Sequence, residues 1–255
     1  MSQNHYRAIF FDLDGTLLPM DIDEFMGSYL EALSAFVLSC GLEIDDFTNG
    51  LISGTQAMGR HDGAQSNAMV FWNTFFGTVA QGPDVWMPLF ERFYDNEFNA
   101  VGKDVVANPC AAASLKVLRE KGYPLVLATQ PMFPLKATKW RIAWAGLDPQ
   151  AFCRITHFEN STSVKPKLAY YEENLRAAKL KPHEVLMVGN DTRDDLACLK
   201  LGMDAYLITD FFINHDDYDI STVKHGSFED FLAWVKDMPT CANPATDIET
   251  GLVGR

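Results

Sequence analysis

Residues Ala8-Ile9-Phe10-Phe11 form a short apolar run, aromatic and β-branched, that stops abruptly at Asp12-Leu13-Asp14-Gly15-Thr16. A run of this kind bounded by a turn signal reads as a buried strand. Two carboxylates at its carboxyl end are costly to keep beside an apolar interior unless something uses them. Acids in that place can hold a hard cation, attack an electrophile or move a proton. Read in isolation, the same residues also fit a strand end closed by a turn with solvated acids, because Asp-Gly is a common turn pair.

Further along, apolar runs again lead into polar groups. Tyr123 to Ala128 ends in Thr129, and Val185 to Val188 ends in Gly189-Asn190-Asp191, with Asp195 four residues beyond. Between them Ser163-Val164-Lys165-Pro166 pins a lysine before a proline. Helix signals alternate with these strands. Asn108-Pro109 reads as an N-cap with proline at the first helical position. Ala112, Leu115 and Leu118 mark a buried face, and Gly122 stops that helix. Helices are predicted from about Leu135 to Ala145, Leu168 to Ala178, Thr192 to Leu201 and Ser227 to Lys236, the last with Ser227 and Asp230 in capping-box spacing. Further strands are predicted from about Phe152 to His157 and from Ala205 to Ile208. Strands separated by helices pair in parallel with right-handed crossovers, which gives an α/β fold with a three-layer, doubly wound sheet. Ligands of such sheets lie beyond the carboxyl ends of the strands, where all the polar groups just named fall.

The alternation is interrupted once. From about Asp21 to Lys103 the chain reads as helical throughout. Phe25, Tyr29, Leu33 and Phe36 recur at helical spacing, as do Met87, Phe90, Tyr94 and Phe98 after a Gly82-Pro83-Asp84 start signal. Phe71, Trp72, Phe75 and Phe76 add another cluster, and together these aromatics read as the core of a small helical unit rather than a stacking surface for substrate. The expected organisation is a catalytic core of residues 1–20 and 104–240, a helical cap domain of residues 21–103, and a loosely ordered tail of residues 241–255.

Asp-x-Asp-Gly-Thr, a hydroxyl, Lys-Pro and Gly-Asn-Asp-x-x-x-Asp, in that order from Asp12 to Asp195, resemble the motifs of the haloacid dehalogenase superfamily, most of whose members look like phosphatases. The insertion after the first motif resembles the helical cap of that superfamily's first cap class. The resemblance implies Asp12 as nucleophile and Asp14 as general acid/base. It implies Thr129, the backbone N–H of Gln130 and Lys165 as phosphate-binding groups, and Mg²⁺ held by Asp12, Asp14 (through its carbonyl) and Asp191. The acid directly after the glycine in the commonest form of the last motif is replaced here by Asn190. This leaves open whether Asn190 or Asp195 supports the metal from behind. Gly54, Arg60 and His61 fall where members of the superfamily contact substrate. The chemistry agrees with the residue types. A carboxylate attacks a phosphate monoester only if the negative charges are neutralised, which a cation held by carboxylates and a lysine supplies.

The chain carries a formal net charge of −13, which disfavours sequence-independent binding to nucleic acid or to anionic membranes. This charge does not exclude a small phosphorylated metabolite, the partner that the resemblance implies, because a few local cations and a metal can override the global field. The five cysteines are odd in number and lack metal-type spacing, so they read as reduced thiols of a cytoplasmic protein. Met1 to Tyr6 lacks the pattern of a signal peptide. The leading expectation is a Mg²⁺-dependent phosphatase that works through an aspartyl-phosphate. A sugar phosphomutase or another phosphoryl transferase on the same scaffold remains open, as does a non-catalytic binding or regulatory protein. Asp14 argues against a haloacid dehalogenase, which has no need of an acid there. The scarcity of lysine between Asp21 and Ala100 argues against a phosphonate hydrolase that forms a Schiff base in its cap.

Overall fold

The structure is a computed structural model and describes residues 6–251. The N-terminal segment considered above as a leader lies, apart from Tyr6, outside the described residues, as do residues 252–255 of the tail. Six parallel strands form one sheet: β1 (Ala8–Phe11), β2 (Leu125–Leu127), β3 (Arg154–Ile155), β4 (Val185–Gly189), β5 (Asp204–Ile208) and β6 (Lys224–Gly226). Their order is β3-β2-β1-β4-β5-β6, the doubly wound arrangement. The chain runs outward from β1 through β2 to β3 on one side, then crosses back to β4 on the other side of β1 and runs outward to β6. The crevice at this reversal therefore opens over the carboxyl end of β1. Phe11 is in register with Leu127 and with Val188, so the chain leaves all three central strands at one level.

Alternate side chains of each strand point to opposite faces. Ile9, Phe11, Leu125, Leu127, Leu186 and Val188 enter one apolar core with Phe228, Phe231 and Val235. Ala8, Phe10, Val126, Val185, Met187 and Leu207 enter the other with Tyr170, Tyr171 and Leu175. The covering helices are α5 (Pro109–Glu120), α6 (Leu135–Trp144), α7 (Leu168–Ala178) and α8 (Phe228–Asp237). Asn108 caps α5 through the N–H of Cys110, and Ser227 with Asp230 closes a reciprocal capping box on α8.

Helices α1 (Ile22–Ser39), α2 (Ile44–Arg60), α3 (Asn67–Phe76) and α4 (Pro83–Arg92) lie between β1 and α5, followed by a π-helical turn at Phe93–Glu97 and a 3₁₀ turn at Phe98–Gly102. Their aromatic rings pack on one another, as in the stack of Phe47 on Trp86 and the edge contact of Phe75 with Trp86. Glycine permits the close approach of α2 to α3. A Cβ at Gly54 would lie 2.7 Å from the ring of Phe71, so this residue serves packing.

Several local expectations need correction. The helix expected from Thr192 is a 3₁₀ turn over Leu196–Leu201. Asp191 and Asp195 use their carboxylates to bind nearby backbone N–H groups, an alternative to regular helix. The strand expected over 152–157 is only Arg154–Ile155, because Asn160 takes the N–H of His157 and donates to the carbonyl of Ile155. The polar edge strand β6 had no apolar pattern to announce it. The tail expected to be loosely ordered has no helix or strand over 241–251, yet it is tied to the core. The N–H of Ala245 bonds to Arg7, the N–H of Glu249 bonds to Ala177, and the Arg154 guanidinium bonds to the carbonyl of Glu249. No helix among the described residues is long and apolar enough to cross a membrane.

Candidate active site

Asp12 is the first residue past β1, and its N–H donates to the carbonyl of Val188 at 2.8 Å, which continues the ladder to β4. Its side chain is buried. Lys165, on the loop between β3 and α7, reaches Asp12 Oδ1 at 2.7 Å and Asp195 Oδ1 at 2.6 Å. The second Asp195 oxygen accepts the N–H groups of Asn190 (2.9 Å) and Asp191 (3.0 Å). Asp195 thus holds the lysine and the turn together through both of its oxygens. The turn can approach because position 189 is glycine: a Cβ there would lie 2.1 Å from the Asp195 carboxyl.

Asp12 Oδ2 is held more weakly. Thr16 Oγ1 lies 3.2 Å from it and 2.9 Å from Asn190 Oδ1, and one hydroxyl proton serves both. Oδ2 is therefore the Asp12 oxygen freest to attack. Thr129 follows β2. Its carbonyl accepts from Thr156 and from the hydroxyl of Tyr170, both at 2.8 Å, while its own buried hydroxyl has no protein partner. The Gln130 side chain grips the lysine loop, accepting the N–H of Lys165 at 3.0 Å and donating to its carbonyl at 3.3 Å.

Asp14 pairs with Arg141 on α6: Nη1 lies 2.5 Å from Oδ2, and the guanidinium stacks on Phe133. Asp14 Oδ1 is buried without a partner. The sequence reading passed over Arg141. Its signal was a charge on the buried stripe of α6, shared with Ala137, Thr138 and Ile142. It also assigned no role to Thr16 or to the side chain of Gln130.

Three carboxylates, Asp12, Asp14 and Asp195, thus share two cations, Lys165 and Arg141. Burial pushes the Asp12 carboxyl up from its ordinary 3.8 to about 7; Lys165 opposes this, and the charges of Asp195 and Asp14 add to it. Burial alone would lower the Lys165 ammonium, but the flanking carboxylates hold it well above its usual value, so it remains charged. An oxygen-rich site with excess negative charge and an unpartnered Asp14 oxygen suits a small hard cation. Among the described residues, however, no three His, Cys, Asp or Glu side chains form a metal cage by themselves. Asp191, expected as a ligand, accepts the N–H groups of Arg193 (2.7 Å) and Asp194 (2.8 Å) through one oxygen, and its other oxygen lies 3.0 Å from His215 Nε2. Asn190 reaches the Asp12 cluster through Thr16, and Asp195 reaches it through Lys165. Of the residues that the resemblance alone sets near substrate, Gly54 packs on Phe71 and His61 bonds Asn67 at 2.7 Å.

The fold and site together are a doubly wound parallel sheet with a buried carboxylate, a lysine and a second acid at its switch point. A sequence model of the haloacid dehalogenase-like hydrolases matches residues 6–202, and the chain belongs to that family. No curated protein matches it. Among solved structures, a 2-haloacid dehalogenase from Pseudomonas syringae pv. tomato DC3000 is similar at 17% identity and a TM-score of 0.60, over 90% of this chain and 99% of the other. A predicted phosphoglycolate phosphatase from Haemophilus somnus 129PT (18% identity, TM-score 0.55) covers 90% of this chain and 98% of its own. A HAD phosphatase from Thermococcus onnurineus (18%, 0.54) covers 92% and 99%. At these identities the likeness concerns the fold alone.

Proposed function

We propose that the protein is a Mg²⁺-dependent phosphatase of a small phosphomonoester. The observation that supports it best is the pairing of Asp12 with Lys165 at 2.7 Å, with a second acid, Asp14, two residues on at the cleft. Asp12 Oδ2 attacks phosphorus while the bond to the ester oxygen breaks. The electron pair leaves with that oxygen, which takes a proton from Asp14. Asp14 Oδ1, the oxygen not bound by Arg141, carries this proton. Asp14 then deprotonates a water that attacks the aspartyl-phosphate, and phosphate leaves with Asp12 restored. Lys165 and the Thr129 hydroxyl balance the charge on the transferring group. Asp12, the backbone carbonyl of Asp14, and Asp191 would hold Mg²⁺, and the ion would supply neutralisation of the phosphoryl oxygens and the nucleophile. The helical insertion, residues 21–103, acts as a cap that excludes water. The compartment in this reading is the cytoplasm, supported by five cysteines without disulfide partners.

The test is release of phosphate from p-nitrophenyl phosphate and from a panel of phosphorylated metabolites, with Mg²⁺ and with chelator. Turnover should need the metal, fall to background in Asp12→Asn, and in Asp14→Asn leave phosphate covalently on the protein, seen by intact mass. Full activity of Asp12→Asn removes the nucleophile assigned here. Halide release from a 2-haloacid with no phosphate release from any ester would move the protein to the dehalogenase branch.

A further inference from the structure

A cavity of about 550 Å³ lies between the helical insertion and the core, and Asp14, Gln130 and Arg141 are among its lining residues. Its volume falls in the range of pockets that enclose a small organic molecule. The walls are apolar: Met26, Leu51, Phe71, Trp72, Phe90 and Phe133 line it. Three more lining residues, Leu30, Ile52 and Met87, are among the exposed large apolar side chains of the protein.

The polar groups in the lining are largely taken by other groups of the protein. Arg141, the one cation among the lining residues, is taken by Asp14 at 2.5 Å. The hydroxyls of Tyr29 and Tyr94 bond each other at 2.9 Å. Gln130 holds the backbone of Lys165. Glu91 is paired with Lys136, and Glu159 with His157. Thr55 and Gln56, on α2, are the polar side chains left over. A second phosphate or a carboxylate on the substrate would meet no free cation and two glutamates. A polyhydroxylated sugar would bury hydroxyls that find few partners, at a cost for each one left unmade.

Resting on the phosphatase reading, we propose that the group released on hydrolysis is a neutral, largely apolar alcohol or phenol. It is of the size of a bicyclic aromatic ring or a medium alkyl chain, with its oxygen at Asp14 and its carbon skeleton in the cavity. The cavity opens on the residue that protonates the departing oxygen, so what fills it is the part of the substrate that departs.

The experiment compares kcat/KM, with Mg²⁺, along methyl, butyl and octyl phosphate and for phenyl against 1-naphthyl phosphate, beside glycerol 3-phosphate and phosphoglycolate. Each methylene that enters the cavity should raise kcat/KM by up to about fourfold, so octyl phosphate should exceed methyl phosphate by at least about tenfold. Met87→Asp and Thr55→Trp should flatten the series, while Leu38→Asp, outside the cavity on an exposed turn of α1, should leave its slope unchanged. Circular dichroism and melting curves establish that each variant is folded. A flat series, or a preference for glycerol 3-phosphate or phosphoglycolate, overturns the proposal. Fluorescence titration of 1-naphthol into the unaltered protein and into Asp12→Asn reads the cavity without turnover. Saturable binding that Met87→Asp weakens at least about tenfold supports the apolar site even if no ester is hydrolysed, in which case the phosphatase reading alone has failed. Absence of naphthol binding overturns the site itself.

Discussion

Asp12 lies among more negative charge than its neighbours neutralise, and this has a consequence for stability. Its carboxyl moves from 3.8 in the unfolded chain to about 7 in the metal-free fold. The folded state therefore binds this proton more tightly. The stability this confers is fully present below about pH 4 and is lost as the pH rises through about 7. Asparagine has no such proton. Asp12→Asn should thus gain stability relative to the parent by up to about 1.4 kcal/mol per pH unit between those limits, with no further gain above them. Urea unfolding of both proteins across that range, in chelator, checks it; a constant difference would contradict the placement of the charge. Arg141 poses the converse case. Arg141→Leu leaves the partly buried Asp14 carboxylate without its cation and should cost about 1–3 kcal/mol. Asp14→Asn in the same chain should recover part of that loss, read as a coupling free energy in a double-mutant cycle. A cycle that closes without coupling would mean that the pair contributes nothing to stability.

Elements were legible to the extent that their residues carried a period. The strands β1, β2, β4 and β5 are apolar runs between turn signals, and α7 begins and ends where its 3.6-residue pattern does. The last motif was less legible, because Asp191 and Asp195 spend their oxygens on backbone N–H groups and no apolar spacing reports this. The four motifs named residues that converge on the carboxyl edge of the sheet, but not which atom each would touch. Asp195, weighed only as a supporting residue, anchors Lys165, whereas Asp191 faces His215. Arg141 carried a sequence signal of a different kind, a charge on a buried helical stripe. Gly54 has a packing role that no apolar spacing reports: its neighbours make it the contact point of α2 with α3. Gly54→Ala should cost about 1–3 kcal/mol in denaturant melts, because the ring of Phe71 has to shift. A loss below about 0.5 kcal/mol would show that the ring yields freely.

At the scale of the whole molecule, the helical insertion and the sheet meet through a residue that is fully buried. Asn67 opens α3, and its Nδ2 donates to the carbonyls of Pro131 (3.0 Å) and Ser163 (3.1 Å). Pro131 follows Gln130, and Ser163 lies two residues before Lys165, so this one amide joins α3 to the loops that carry Gln130 and Lys165. The N–H groups of Asn67 and Ala68 add bonds to Ser161 and Phe158, each at 2.8 Å. Asn67→Ala removes the side-chain ties and leaves two carbonyls to find water, at about 1–3 kcal/mol for each group left unsatisfied. Asn67→Asp is the sharper variant, since a carboxylate cannot donate to either carbonyl and brings a charge into a dry place. Both should loosen the seam between insertion and sheet before they loosen the sheet. Hydrogen exchange should rise in α3 and in residues 158–165, while β1 and β4, paired on both sides, keep their protection. Turnover of any ester should then fall mainly through a raised KM, because Asp12, Thr16 and Asp195 keep their own bonds and only the cover over them has been freed. Exchange that rises equally in β1 would mean that the insertion and the sheet open as one cooperative unit, and the insertion would then have no motion of its own.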